Sequence, residues 1–499
     1  MAYDVVVVGG GTAGCVCAAR LSEDGDRRVL LLEAGPDYPT VPDLPADIAD
    51  AAGPTTDHDW GFVSEPDELG RVISLPRGRL VGGCSATNAC FALRGWPADY
   101  DQWSGHGNAG WSFRELLPLF RAVEADADVG GPWHGHDGPV PIRRPAELAT
   151  LQRAFLDAAV AVGHPLVDDH NRPGALGVGA APRNVHGALR MSTALTYLAA
   201  ARERPNLAVR ADALVDRVEL SGSAVRGVRL ASGDPVVAET VVLAAGSYGS
   251  PAVLLRSGIG PVAQLRAVGI PVAVDLAGVG GNLVDHPLVA VDLPARPDDS
   301  GPGFQVMLTL RSSRAAPDAP PDLHLFAVGP FEDGGSPSGR VFGVVAGLLA
   351  VRSRGSVRLR SPDPAAAPRI DVGHLRHPED LARMVEAVRH ARRLSRTPPL
   401  AGFVRGAELA PGPAVEDGDT VGLIRAIRSR VGSYHHPVGT CAMGPDPGRG
   451  AVVDARGAVH GIRGLWVADA SVMPTIPSAN THLSTIVVAE RIAAWLAAR

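Results

Sequence analysis

The chain opens on an unbroken apolar run, Tyr3–Val8, which reads as a buried strand. Small and apolar residues from Ala13 to Leu21 read as helix, and Val29–Leu32 is a second apolar run of strand length. Strand, helix and strand within about 30 residues make a βαβ unit of a parallel sheet. Residues 35–109 then lose all periodicity and are rich in Pro, Gly and Asp, a stretch too long to be an idle linker and so expected to be functional. Ser112 followed by Glu115 predicts a capped helix start. Residues 225–230 and 235–243 flank a turn at 232–234 and predict paired strands. From Asp292 to Pro337 the composition shifts to Pro and Asp; strands are expected again in the apolar 341–351 and the alternating 356–360. Leu381, Met384, Val385 and Val388 form one face of a helix over 378–394, with Pro378 suited to its first position. A last helix is expected over 484–498, capped by Ser484.

Composition narrows the function. The 499 residues allow one very large domain or two to three ordinary ones, and 45% hydrophobic with 20% charged residues excludes a disordered chain. A net charge of −6 argues against a nucleic-acid binder. There is no lysine, so all 47 basic residues are arginine, which excludes Schiff-base chemistry on lysine and the ordinary P-loop NTPases. Cys15, Cys17, Cys84, Cys90 and Cys441 form no C-x-x-C pair, so no metal site is expected, and the sparse odd count suits a reducing compartment. The start shows no signal-peptide pattern and no apolar run is long enough for an integral membrane segment, so a cytoplasmic location is expected.

Gly9, Gly11 and Gly14 form G-x-G-x-x-G between the first strand and the first helix. Such glycines permit a tight turn and let the backbone approach a pyrophosphate at the helix N-terminus. Glu33 ends the second strand, where a carboxylate accepts hydrogen bonds from a ribose hydroxyl. Together these point to a dinucleotide, without choosing between NAD and FAD.

Further glycine-rich stretches follow: Pro76-Arg77-Gly78-Arg79-Leu80-Val81-Gly82-Gly83-Cys84-Ser85-Ala86-Thr87-Asn88, Ala244-Ala245-Gly246-Ser247-Tyr248-Gly249-Ser250-Pro251, and Gly278-Val279-Gly280-Gly281-Asn282-Leu283-Val284-Asp285-His286-Pro287. Near the end come His436-Pro437-Val438-Gly439-Thr440-Cys441, Leu465-Trp466-Val467-Ala468-Asp469-Ala470-Ser471 and Asn480-Thr481-His482. In order and spacing these motifs, spread over residues 3–495, resemble the glucose–methanol–choline (GMC) family of flavin oxidoreductases. The short length, the Arg/Ala/Gly bias and Asn480-Thr481-His482 are similar to its mycofactocin-associated branch.

The resemblance implies an α/β fold: a doubly wound, Rossmann-like FAD-binding domain interleaved with an α+β substrate domain on an antiparallel sheet. Residues 1–290 would be mainly FAD-binding, 291–439 mainly substrate-binding, and 440–499 a return to the FAD domain. It implies FAD held by Gly9, Gly11, Gly14, Glu33, Gly82, Gly83, Asn88, Asp469 and Ala470, with adenine contact near Val215. It makes His436 the base that takes the alcohol proton while hydride leaves for flavin N5, and His482 its companion. An imidazole, with a pKa of about 6.5, suits that task. His435 is expected to point away. The start of the last helix would face the flavin pyrimidine edge. Thr87 stands where covalently flavinylated members carry histidine, so FAD is expected to be non-covalent. The implied reaction is oxidation of a small-molecule alcohol with O2, a quinone or a redox protein as acceptor; a flavin-dependent lyase or photodecarboxylase is the alternative on the same fold. Residues 292–353 should form much of the substrate wall. With 10 Phe, 7 Trp and 6 Tyr, composition gives no hint of an aromatic cage for a quaternary ammonium.

Overall fold

The structure, a computed structural model, describes residues 3–296 and 303–499. Two sheets organise it. The parallel core of the first runs in the order Leu207–Arg210, Val29–Leu32, Tyr3–Val8, Pro235–Leu243 and Leu465–Val467. Ala224–Leu230 and Val215–Ser221 extend it antiparallel from the start of the long strand. Val6, Val7, Val29 and Leu31 have no exposed surface, as expected for strands covered on both faces. The helices Thr12–Leu21 and His482–Ala497 pack against each other, joining the first segment of the chain to the last.

The register decides where chemistry gathers. Val8 pairs with both Leu32 and Leu243, and Leu243 pairs with Val467. The residues that follow each strand, the glycine turn, Glu33, Ala244 and Ala468-Asp469, therefore emerge at one end of the sheet, the carboxyl end where open α/β sheets bind ligands.

The second sheet is antiparallel throughout, in the order Gly432–Ser433, Pro287–Pro294, Arg340–Leu348, Leu323–Glu332, Val306–Leu310 and Gly177–Ala180. Helices Pro378–Ser395 and Thr150–Ala161 pack against it. The α/β fold with a Rossmann-like parallel sheet and a separate antiparallel sheet is thus present. Among the described residues no helix is long and apolar enough to cross a membrane.

Three local expectations change. The 35–109 stretch contains a helix, Pro97–Gly105, which starts on Pro97 and whose Asp99 accepts from the Trp96 N–H at 2.7 Å. Asp99 also accepts from the Ser478 N–H and hydroxyl at 2.7 and 2.8 Å, so this helix braces the loop that leads to His482. The Pro- and Asp-rich region after Asp292, of which 297–302 lie outside the described residues, holds the strands Val306–Leu310 and Leu323–Glu332. The last helix begins at His482, with Thr481 before it, and Ser484 does not cap it: its hydroxyl lies 2.8 Å from the Tyr100 hydroxyl. The predicted capping box at Ser112 is formed, with Glu115 accepting from the Ser112 N–H at 3.1 Å.

Candidate active site

One cavity of about 700 Å3 is lined at once by the glycine turn, Glu33, Val215, Asp469 and the two predicted catalytic histidines. Its cofactor half is shaped by backbone. Gly9 has φ of 97°, in the left-handed region. A Cβ on Gly14 would stand 1.8 Å from the Gly9 carbonyl oxygen, and one on Gly83 would stand 2.6 Å from Gly11 Cα. The first helix and the 82–83 loop therefore close on the turn only because these side chains are missing. Gly9, Gly11, Glu33, Gly83, Asn88, Val215, Asp469 and Ala470 line the cavity; Gly14 and Gly82 do not. These two act behind the surface, Gly14 by admitting the helix and Gly82, with φ of 103°, by bending the loop.

The Glu33 carboxylate accepts from Gly10 N at 2.7 Å and Gly35 N at 2.9 Å. Burial nevertheless pushes it up to about 7. Asp469 accepts from Gly246 N and Ser471 N, each at 2.8 Å, and from the Ser250 hydroxyl at 2.5 Å. Burial raises its pKa as well. Its acceptor capacity is largely used by the protein, so it locks its own turn to the start of the Gly246–Arg256 helix at the cavity wall. Val215 lies at the cavity edge, with the Arg256 guanidinium 3.4 Å from its carbonyl oxygen. A turn stripped of side chains, a helix N-terminus behind it and a buried carboxylate beyond it fit the diphosphate and ribose of FAD.

The other half is built where two segments run antiparallel. Tyr434 N donates to the His286 carbonyl and Val438 N to the Val284 carbonyl, both at 2.8 Å. This sets His286 Nδ1 3.0 Å from His436 Nδ1. Asp285 accepts from the His436 backbone N–H at 2.7 Å and from the Ser433 hydroxyl. Burial works against its charge, yet His374, Ser433 and His436 together hold its carboxyl well below the usual range. The side-chain nitrogen of Asn480 lies 3.0 Å from His436 Nε2. His482 occupies the first turn of the last helix, lines the same cavity, and its Nε2 is buried with no partner in the structure. Burial lowers His436 well below 6.5, His482 to about 4 and His286 to about 4. All three imidazoles are neutral at pH 7, so each carries one N–H and one lone pair. His435 is more exposed than the buried His436, but the alternation expected of an extended segment does not hold, because His435 sits at φ of 67°, in the left-handed region. His435 nonetheless also borders the cavity.

Sequence reasoning singled out His436 and His482 and passed over His286 and the role of Asn480. His286 stood in the quoted Gly278–Pro287 stretch as the one titratable base beside Asp285. It also passed over an aromatic wall. Phe91, Phe304, Phe326 and Tyr434 all line the cavity, and the Tyr434 ring is 4.4 Å from the His436 ring. Gly347 makes room for it, since a Cβ there would be 3.0 Å from two Tyr434 ring carbons.

A second buried polar cluster lies away from this cavity. Glu124, Asp126 and His134 come close enough for a metal ion, but Arg94 pairs with Glu124, and Arg144 with Asp126 at 2.9 Å. Burial opposes charge on His134, yet Asp169 and Glu124 raise it to about 9. A protonated imidazole has no lone pair for a metal, and the cluster is a network of compensated charges.

The comparisons agree with this geometry. Residues 3–288 and 351–489 match the two regions described as GMC oxidoreductase. A 5-(hydroxymethyl)furfural oxidase of Methylovorus sp. (strain MP688) is 38% identical over 526 residues, covering 98% of each chain. An oxygen-dependent choline dehydrogenase of Brucella anthropi is 33% identical over 98% of this chain and 95% of its own. The crystal structure of pyridoxine 4-oxidase from Mesorbium loti superposes with a TM-score of 0.91 at 34% identity, covering 100% of this chain and 99% of that one. With both sequence regions matched, relatives above 30% identity along nearly the whole chain, and a cavity shaped for a dinucleotide, the protein belongs to the GMC family of FAD-dependent oxidoreductases.

Proposed function

We propose that the protein oxidises a small alcohol at its CH–OH group, with His436 as base, His482 as second contact to the substrate oxygen, and FAD held without a covalent bond. The observation that carries this reading is that His436 and His482, whose Nε2 is buried without a partner, line the cavity that begins at the Gly9 turn. Relatives named for 5-(hydroxymethyl)furfural and choline accord with it.

FAD, when bound, would supply the acceptor for the substrate hydride, with O2, a quinone or a redox protein as the final oxidant. The glycine turn and Glu33 would hold its ADP half, and the walls at Gly83, Asn88 and Ala470 would hold the remainder. The first turn of the last helix lines the cavity through Thr481, His482 and Thr485 and sets its positive end there. The alcohol reaches His436 at Nε2 by displacing the Asn480 amide nitrogen that lies 3.0 Å from it; Nε2 then takes the hydroxyl proton as the α-hydride departs, and the substrate leaves as the carbonyl compound. Asp285 fixes the His436 backbone, His286 holds its Nδ1 and Asn480 lies against its Nε2, while His482 would orient the hydroxyl. The neutral state imposed by burial is the one a base needs.

Anaerobic addition of alcohols to the purified flavoprotein should bleach the flavin, and O2 or a quinone analogue should restore the colour. A fully loaded enzyme that no alcohol bleaches contradicts this reading.

A further inference from the structure

The segment 473–481 sets Asn480 against His436 and leads into His482, yet it forms neither helix nor strand, and Pro474 and Pro477 remove two of its backbone donors. Its order comes from the helix Pro97–Gly105. Trp103 Nε1 donates to the Thr475 carbonyl and hydroxyl at 3.1 and 3.0 Å, and the Thr475 hydroxyl donates to Gln102 at 3.1 Å. Asp99 Oδ2 accepts from Ser478 N and from Trp96 N, each at 2.7 Å, and Oδ1 accepts from the Ser478 hydroxyl at 2.8 Å. The Tyr100 hydroxyl meets that of Ser484, in the first turn of the last helix, at 2.8 Å. Gly95 lets the two sides close, since a Cβ there would stand 2.7 Å from the Tyr100 hydroxyl and 2.8 Å from Pro477 Cβ.

Among these gripping side chains Asp99 alone ionises near neutrality. Burial lifts its carboxyl to about 6, although the Ser478 and Trp96 donors favour the charged form. Above that value its three bonds go to an anion; below it they go to a neutral carboxyl and are about half as strong. The grip therefore tightens as pH rises through about 6. The ionisable groups around Asp99 do not titrate there. Burial raises the neighbouring Tyr100 phenol further, and Arg94 beyond it is paired with Glu124. Arg311 lies over the Trp96 ring, 5.7 Å from its centre. The helix Phe113–Val123 turns Phe113 and Phe120 to Tyr100 and leaves Arg114 and Glu115 exposed. Segment 473–481 has no ionisable side chain, and His482 beyond it is held neutral by burial.

We propose that Asp99 is a positioning residue for the oxidation, which through Ser478 holds the segment bearing Asn480 and His482 in register with His436. This rests on the alcohol-oxidation reading above. Asp99 does not line the cavity and touches neither substrate nor cofactor. Ser478 stands two residues before Asn480 and four before His482, so a looser Ser478 spreads both over a range of positions. The cavity keeps its walls, while fewer bound complexes have the hydroxyl aligned for proton and hydride transfer. Such a change lowers the limiting rate more than it raises the half-saturating concentration.

The test uses the flavin-loaded enzyme and anaerobic flavin reduction by whichever of 1-butanol, benzyl alcohol and choline bleaches the parent fastest. Asp99→Asn has the same shape and makes its contacts in neutral form at every pH. At pH 8, above the Asp99 value of about 6, its limiting rate should be about tenfold below the parent's, with flavin content and half-saturating concentration little changed. At pH 5, below that value, the parent also carries the neutral carboxyl, and the ratio of the two rates should close to about one. Taking the ratio cancels the titration of His436 itself. Ser478→Ala, which removes one of the three bonds, should slow the pH 8 rate by about threefold. In a His482→Ala background the Asp99→Asn loss should shrink to less than about threefold, because part of what Asp99 positions is gone. An Asp99→Asn enzyme as fast as the parent at pH 8, a ratio unchanged at pH 5, or the full loss repeated in the His482→Ala background overturns the proposal and leaves alcohol oxidation intact. If none of the three alcohols bleaches a flavin that dithionite still reduces, the alcohol-oxidation reading falls, and this proposal with it.

Discussion

His286 Nδ1 and His436 Nδ1 lie 3.0 Å apart, and since both rings are buried and neutral, only one of the two nitrogens carries the proton. The Asn480 amide assigns it. Its NH2 group, 3.0 Å from His436 Nε2, makes that nitrogen the acceptor, which leaves the hydrogen on Nδ1, pointing at His286. His286 thus keeps the lone pair of His436 on Nε2, where it meets Asn480 at the cavity wall, as a carboxylate fixes the tautomer of the imidazole in a hydrolytic triad. His286→Ala should slow anaerobic flavin reduction by about 10- to 100-fold, the usual range for losing a residue that orients a reacting imidazole. The acid limb of the rate–pH profile should also move, because a cavity in place of His286 changes the burial of the base. A slower rate with an unmoved profile points to a packing defect instead.

His436→Ala removes the proposed base and should slow reduction by about 10²–10⁴-fold. His482→Asn should cost least, since an amide still bonds the substrate oxygen, and His482→Ala should fall between the two. All three should keep their flavin, because neither ring belongs to the cofactor half of the cavity. The reduction rate should rise with pH as the base is deprotonated. With the His436 pKa pushed down by burial, that rise belongs on the acid side and the rate should be flat above neutrality. Rapid bleaching in the double alanine variant would remove the pair from the chemistry.

What could be read in the sequence was what depends on neighbours along the chain. The Tyr3–Val8 run, the Gly9 turn and Glu33 lie within one βαβ unit, so their pattern carries their geometry. His436 and His482 were legible through motif resemblance. His286 was not singled out, because its partner is 150 residues away and the two meet only through the pairing of the 284 and 438 segments. The aromatic wall was hidden for the same reason: Phe91, Phe326 and Tyr434 come from three distant segments that strand register and loop pairing bring together. The strand Leu323–Glu332 was masked by the Pro-rich sequence around it, including Pro330 within the strand itself. Ser484 looked like a cap because the first turn of that helix is made of residues with weak helical signal. In the fold its hydroxyl serves Tyr100 instead.

Thr87 lines the cavity on the loop between Gly83 and Asn88. A threonine hydroxyl gives no stable bond to a flavin methyl carbon, so acid or heat precipitation should leave all the flavin in the supernatant. Colour retained in the washed pellet would contradict non-covalent binding.

In its proposed place beside the ribose, Glu33 should make cofactor binding depend on pH. In the protein without FAD, burial holds its pKa at about 7 despite the two backbone N–H donors. A ribose hydroxyl donating to the carboxylate favours the ionised form, so the FAD complex has the lower pKa of the two states. Below about pH 7 the free protein must then release a proton in order to bind, and affinity falls as pH falls; above it no proton is exchanged and affinity is level. Titrating deflavinated protein with FAD between pH 5.5 and 8.5 should show this rise and plateau, a window set by the Glu33 value of about 7. Glu33→Gln should abolish the pH dependence over the same range. It should also weaken binding by roughly 1.5–3 kcal/mol, the worth of a hydrogen bond to a charged group. Reduction by substrate in the fully loaded variant should change far less, because Glu33 lies in the cofactor half and makes no contact with His436. An affinity that is level across the range in the parent protein, or unchanged in the variant, would take Glu33 out of cofactor recognition.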